Sequence, residues 1–250
     1  MGIKLVINDK YKELKGFVET LPLEFTQSGE VIYSGRNTIK TFNVNGLTLN
    51  VKSFKKPIFI NQIIYSIFRK SKAERSYLYA SLLEEKGFHT PSPIAYMEQR
   101  KYGLFKHSLY ISEHYEFDGM MRELLHGRVN DHEALLKQFA HYTGDLHNNG
   151  ILHMDYSSGN ILYKKTNNKY TFYLVDLNRM AFNKNITLNT GCFNLRRLWG
   201  SDEMISLIVK EYAKTRKFDE VTCLRKAFEY RNKFWSDYRR RYPDAKPYLG

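Results

Sequence analysis

A chain of 250 residues, 42% hydrophobic and 15% aromatic, can bury a sizeable core in one large domain or two lobes, which excludes a disordered polypeptide. Its longest apolar runs, such as residues 161 to 163 and 172 to 175, fall far short of the roughly 18 to 20 residues a membrane-crossing helix needs. Two cysteines, Cys192 and Cys223, point to neither a disulfide framework nor a structural zinc site, and the net charge of +13 favours polyanionic partners: nucleic acid, anionic lipid or phosphorylated substrates.

In chain order, the stretch MGIKLVINDKYKELKG has no apolar run of the kind a secretory signal uses, and Val6 stands where a myristoylation signal needs Ser or Thr, so a cytoplasmic location is expected. Residues 30 to 54 alternate apolar and polar positions around the turn signal VNG and predict an antiparallel meander. SKAERSYLYASLLEEKG repeats its apolar residues near a helical period, with Ser71 as N-cap and Gly87 as stop. Two strands joined through KYG follow, and NDHEALLKQFAHYTGDLHNNG reads as a helix burying Leu135, Leu136, Phe139, Tyr142 and Leu146. NILYKK and YTFYLVDL form a hairpin around TNNK, and from about residue 201 the sequence is helical, ending in the basic run RNKFWSDYRRRYPDAK. A β-rich region therefore precedes a helical one.

Between the central helix and that hairpin lies GILHMDYSSGNILY, in which His153, Asp155 and Asn160 have the HxDxxxxN spacing of a kinase catalytic loop. Phosphoryl transfer from ATP asks for a cation on the phosphates, oxygen ligands for Mg2+, and a carboxylate at the acceptor hydroxyl. Lys52, in the strand LNVKSF, is the candidate for the phosphates, and Glu74 on the following helix is the candidate to hold its ammonium. Asp155 is the candidate base, with His153 bracing the loop. Asn160 and Asp176 are the candidate metal ligands: Asp176 ends an apolar strand, where a carboxylate is costly unless a cation answers it, and the hairpin returns it toward Asn160. His141 and His147 read as ordinary helix residues. Arg196, Arg197 and Arg239 to Arg241 are candidates to meet acceptor phosphates, though a solvated face is the simpler account of each.

With Lys52, Glu74, His153, Asp155, Asn160 and Asp176 in this order, the chain resembles the protein-kinase-like superfamily over about residues 28 to 200. More narrowly, VKSF, KAERSY followed by GFHTPSPIAY, HMDYSSGNILY and YLVDLNR are similar to the bacterial lipopolysaccharide core kinases, the Kdo and heptose kinase family. The resemblance implies an α+β, bilobal protein-kinase-like fold, with a β-rich nucleotide-binding N-lobe (residues 1 to 112) and a mostly helical C-lobe (residues 113 to 250) carrying the catalytic loop. It also implies ATP and Mg2+ as cofactors. The implied acceptor is a sugar hydroxyl, of Kdo or heptose, in lipid-linked core oligosaccharide (lipid A–Kdo), met at the cytoplasmic face of the inner membrane through its anionic surface.

The pattern departs from protein kinases in several places. No GxGxxG occurs; the segment SGRNTIK offers Gly35 alone, leaving backbone amides of that hairpin to cover the triphosphate. DLN replaces DFG, Ser157 stands where protein kinases usually carry Lys, and no APE motif follows Asp176, which favours a small or glycosidic acceptor over a peptide. The competing readings are an antibiotic or small-metabolite phosphotransferase of the same fold, disfavoured by the basic charge, and a catalytically silent kinase-like binding protein. Nucleic acid is not expected as a partner, because no RNA-binding motif accompanies the aromatic residues.

Overall fold

The computed structural model describes residues 2–55, 70–102, 104–124 and 127–244; Gly103 of the KYG connection and the last two residues of the basic run lie outside them. The chain divides into two compact units, Met1–Glu116 and Phe117–Gly250. This is a mixed α+β protein, with a sheet-based N-terminal region and a helical C-terminal one.

The first unit runs β1 (Gly2–Ile7), a 3-10 turn (Asp9–Leu14), α1 (Lys15–Gln27), β2 (Glu30–Ser34), β3 (Asn37–Val44), β4 (Leu47–Phe54), α2 (Lys72–Glu85), β5 (Pro93–Lys101) and β6 (Leu104–Glu113). Among the described residues these strands form one antiparallel six-stranded sheet ordered β1-β5-β6-β4-β3-β2. The expected meander is β2 to β4. Asn45 and Gly46 turn β3 into β4 at φ 50 and 79, the pair of positive angles that a tight hairpin of the right twist requires. Helix α2 starts as expected, with Ser71 Oγ accepting the Glu74 amide at 3.1 Å.

Two elements go beyond the sequence expectation. β1 adds to the sheet edge through β5, in register from Gly2 with Arg100 to Ile7 with Ala95. α1 buries Val18 and Leu21, which join Leu14, Phe42, Leu49, Val51, Ile94, Met97, Leu109 and Ile111 in the core of this unit.

The second unit runs β7 (Gly119–Met120), a single turn α3 (Met121–Leu124), α4 (Val129–Asn148), β8 (Leu152–His153), a 3-10 turn (Ser158–Asn160), β9 (Ile161–Thr166), β10 (Lys169–Leu174), β11 (Met180–Ala181), α5 (Leu188–Leu195), α6 (Asp202–Arg216) and α7 (Glu220–Arg241). α4 is the predicted central helix. Leu135, Leu136, Phe139 and Leu146 are buried on one face of it, against α6 and β10. β9 and β10 are the predicted hairpin, with Asn167 at φ 55 in its turn. α5 is a further helix ahead of residue 201, packed on α7. Cys192 and Cys223 are both buried free thiols. No helix among the described residues is long and apolar enough to cross a membrane.

Candidate active site

The HxDxxxxN loop is held by its own backbone and by the strand end that follows the hairpin. β8 pairs with β11, His153 opposite Met180 and Leu152 opposite Ala181. The Met154 amide donates to the Arg179 carbonyl at 2.8 Å, and the Val175 amide donates to the Asn160 carbonyl at 3.0 Å. These two bonds draw the chain on either side of Asp176 against the two ends of the loop. His153, Asp155, Asn160 and Asp176 are thus gathered in one region of the second unit.

Within that region each side chain has a defined environment. The His153 ring is fully buried; the Asp155 amide donates to its Nδ1 at 3.1 Å, so the proton sits on Nε2, which donates to the Val175 carbonyl at 3.0 Å. Burial pushes the His153 pKa down, and its hydrogen bond to Val175 and the charges of Asp176 and Asp155 offset only part of that. A neutral imidazole with both nitrogens engaged by backbone is a brace, unsuited to taking a proton from a substrate.

Asp155 carries its carboxylate toward Arg197, whose Nη1 forms an ion pair with Oδ1. The Asn160 Nδ2 group donates to the Asp155 carbonyl at 2.9 Å, which fixes the amide and turns its oxygen the other way. Asp176 has a left-handed backbone, φ 59, and its Oδ1 accepts from Asn178 Nδ2 at 2.9 Å. An amide oxygen and a carboxylate are the hard donors that Mg2+ prefers, so the pair fits that ion. Among the described residues no cluster of three or more His, Cys, Asp or Glu could hold a metal by itself, so phosphate oxygens or water would complete the set.

Residues outside the motif extend the bracing inward. Asn194 Nδ2, on α5, donates to the His153 carbonyl at 3.0 Å. Its Oδ1 then faces His147 Nε2 at 3.2 Å, and His147 Nδ1 meets the Tyr212 hydroxyl at 2.8 Å. With Nε2 as donor to Asn194, Nδ1 must accept from Tyr212, so the whole chain of bonds is satisfied in one polarity. Sequence reading missed this role of His147, a buried residue that the pattern alone makes an ordinary helix position. The signal that could have found it is its place on the apolar face of α4, one residue after Leu146. On the other side of the loop, the Trp199 amide donates to Ser158 Oγ at 3.1 Å.

Lys52 and Glu74 belong to the first unit. Lys52 is half-buried in the second half of β4, opposite Ile39 on β3 and Tyr110 on β6, with its ammonium 5.4 Å from the centre of the Phe54 ring. Glu74, in the first turn of α2, places Oε1 3.2 Å from Lys4 Nζ on β1. The ammonium found on Glu74 is therefore supplied by β1, an element the sequence reading did not assign.

Comparison with known proteins adds family and fold. The family description "Lipopolysaccharide kinase (Kdo/WaaP) family" matches residues 18–215. A search of curated proteins gave no match. Among solved structures, one described as "WaaP in complex with acyl carrier protein" is similar in fold, with a TM-score of 0.62 and 17% sequence identity over 93% of this chain and 99% of the other.

Proposed function

Because the chain belongs to the lipopolysaccharide kinase (Kdo/WaaP) family, and so is an ATP-using kinase of the lipopolysaccharide core, we propose that its acceptor is a hydroxyl of Kdo and that Asp155 receives that hydroxyl. The observation that carries the site is the bond pattern that gathers Asp155, Asn160 and Asp176 around a buried, neutral His153. For the acceptor, a net charge of +13 suits an acidic sugar on an anionic lipid better than a neutral or cationic small molecule.

In this reading Asp155 accepts a hydrogen bond from the sugar hydroxyl, aims its lone pair, and takes the proton as the hydroxyl oxygen bonds to the γ-phosphorus of ATP and the bond from that phosphorus to the oxygen of the leaving ADP breaks. His153 holds the loop so that the carboxylate does not swing. The Asn160 amide oxygen and the Asp176 carboxylate would hold Mg2+, which supplies positive charge to the phosphates of ATP. Residues 1 to 112 serve as the nucleotide-binding lobe, with Lys52 on the α- and β-phosphates, Glu74 paired with Lys4 of β1, and amides of the β2–β3 hairpin over the triphosphate. Residues 113 to 250 serve as the acceptor lobe. The protein works at the cytoplasmic face of the inner membrane, attached to the anionic surface by charge.

Purified protein with Mg·ATP and Kdo–lipid A should yield a product heavier by one phosphate in mass spectrometry. Asp155→Ala should lower kcat by roughly 10²- to 10⁴-fold with little change in the melting temperature. An unchanged acceptor mass under saturating conditions, or faster turnover on a heptose-bearing core whose Kdo hydroxyls are blocked, would overturn the Kdo assignment.

A further inference from the structure

Arg197 forms its ion pair with Asp155, the carboxylate given the acceptor hydroxyl in the reading above, on which this inference rests. The pair is not sealed in the interior: the Arg197 side chain is 30% exposed and that of Asp155 22%. Both groups remain within reach of solvent and of a bound molecule. A guanidinium carries five N–H donors in a planar fork. One nitrogen, Nη1, is engaged by Asp155, and among the described residues no other acceptor takes the rest of the fork.

The neighbourhood holds more positive charge than the protein answers. Arg196 lies 3.6 Å from the centre of the Phe193 ring and donates to the Phe193 carbonyl at 2.5 Å, while Arg196 and Arg197 are each 5.5 Å from the Phe234 ring. Burial, and then the adjacent Arg197 charge, weaken the hold of Arg196 on its proton, and Asp155 acts the other way. Arg122 meets the same loop at Gly159, where an added Cβ would run into its guanidinium, which lies 5.1 Å from the centre of the Trp199 ring. Among the described residues Asp155 is the one carboxylate within ion-pair distance of any of these three arginines.

We propose that Arg197 selects the acceptor: its guanidinium, shared with Asp155, also takes an anionic group, a carboxylate or a phosphate, carried by the sugar beside the hydroxyl being phosphorylated. A planar fork suits this, because it binds two oxygens in parallel and can face the catalytic carboxylate and the substrate anion together. Engaging both would fix the hydroxyl against Asp155 only for an acceptor that carries the anion, which makes the charge a condition of alignment as well as of affinity. Arg196, tied to its own helix end and to two aromatic rings, keeps the local potential positive without moving.

The test uses the full chain with Mg·ATP and three forms of Kdo–lipid A: native, with the sugar carboxylates converted to primary amides, and with the lipid A phosphates removed. Wild type should prefer the native acceptor over one altered form by about 10- to 100-fold in kcat/KM, the range expected for a lost charge-assisted hydrogen bond. The altered form that loses identifies the anion. Arg197→Met should narrow that preference to within about twofold, and Arg197→Lys should keep part of it, since a point charge without the fork still attracts the anion. Each preference is a ratio measured on one protein sample, so partial misfolding of a variant cancels. If Arg197→Met slows all three acceptors by the same factor, the guanidinium serves Asp155 or the transferred phosphoryl group and the proposal is wrong. A wild type that uses all three equally also overturns it while leaving the kinase assignment intact; a wild type inert on native acceptor overturns the Kdo assignment and this proposal with it.

Discussion

His147 illustrates how one buried polar residue can set the behaviour of a site it does not touch. Burial, and then the Arg216 charge, bring its pKa from the ordinary 6.5 down to about 4, with the Asn194 hydrogen bond opposing. The folded protein therefore keeps His147 neutral where the unfolded chain would already bind a proton. Stability is full above about pH 6.5 and falls as pH drops toward 4, since over that window the unfolded state takes up the proton and the folded state does not. The shift corresponds to on the order of 3 kcal/mol at most, and the lowered pKa of His153 adds in the same sense. Thermal melting from pH 7.5 to 4.5 should show a steeper loss for wild type than for His147→Gln. Parallel curves would mean that His147 does not titrate in this way. Because His147 acts through Asn194 on the His153 carbonyl, the same variant should lower kcat more than it raises KM.

At the scale of elements, α5 joins the HxDxxxxN loop to the helices behind it, and its contact with α6 is close at Gly191 and Tyr212. Gly191 sits one turn ahead of Asn194 on α5, and a Cβ there would collide with the Tyr212 hydroxyl that serves His147. Gly191→Ala should therefore destabilise the protein by about 1–3 kcal/mol in urea unfolding, although alanine is the better helix former by about 1 kcal/mol. A stabilised variant would show that α5 can retreat.

The sequence made some elements plain and hid others for physical reasons. The β9–β10 hairpin and α2 were legible because alternation, a turn signal and the Ser71 cap all agree locally. α5 was not, since LNTGCFNL contains Gly and two Asn and is only 8 residues long, so its helical form depends on packing against α7. α1 was hidden by Pro22 in its interior, although Leu14, Val18 and Leu21 follow a helical period. Within the site, the spacing of Asp155 and Asn160 is a local signal. The Arg197 ion pair joins positions 42 apart in the chain, and the Tyr212 bond to His147 joins positions 65 apart, separations that no local pattern encodes.

For the whole molecule, charge is the dominant property. A net charge of +13 makes attraction to an anionic bilayer long-ranged and sensitive to salt. Arg239, Arg240 and Arg241 crowd the last turn of α7, where they also complement the negative end of the helix dipole. Binding to vesicles rich in anionic lipid should weaken by at least about tenfold between roughly 0.05 and 0.5 M salt, as screening shortens the reach of each charge. Vesicle sedimentation measures this directly, with zwitterionic vesicles as the control that should bind poorly at both concentrations. Salt-insensitive binding would point instead to an apolar contact.

The left-handed turn of the backbone at Asp176 restricts that position before any ion does, because a branched or bulky side chain would be strained at φ 59 whereas aspartate, asparagine and glycine are tolerated. Of these, asparagine reproduces the outline of the native group while removing its negative charge. Asp176→Asn thus varies the charge at the strand end while the left-handed turn and the outline of the side chain are kept.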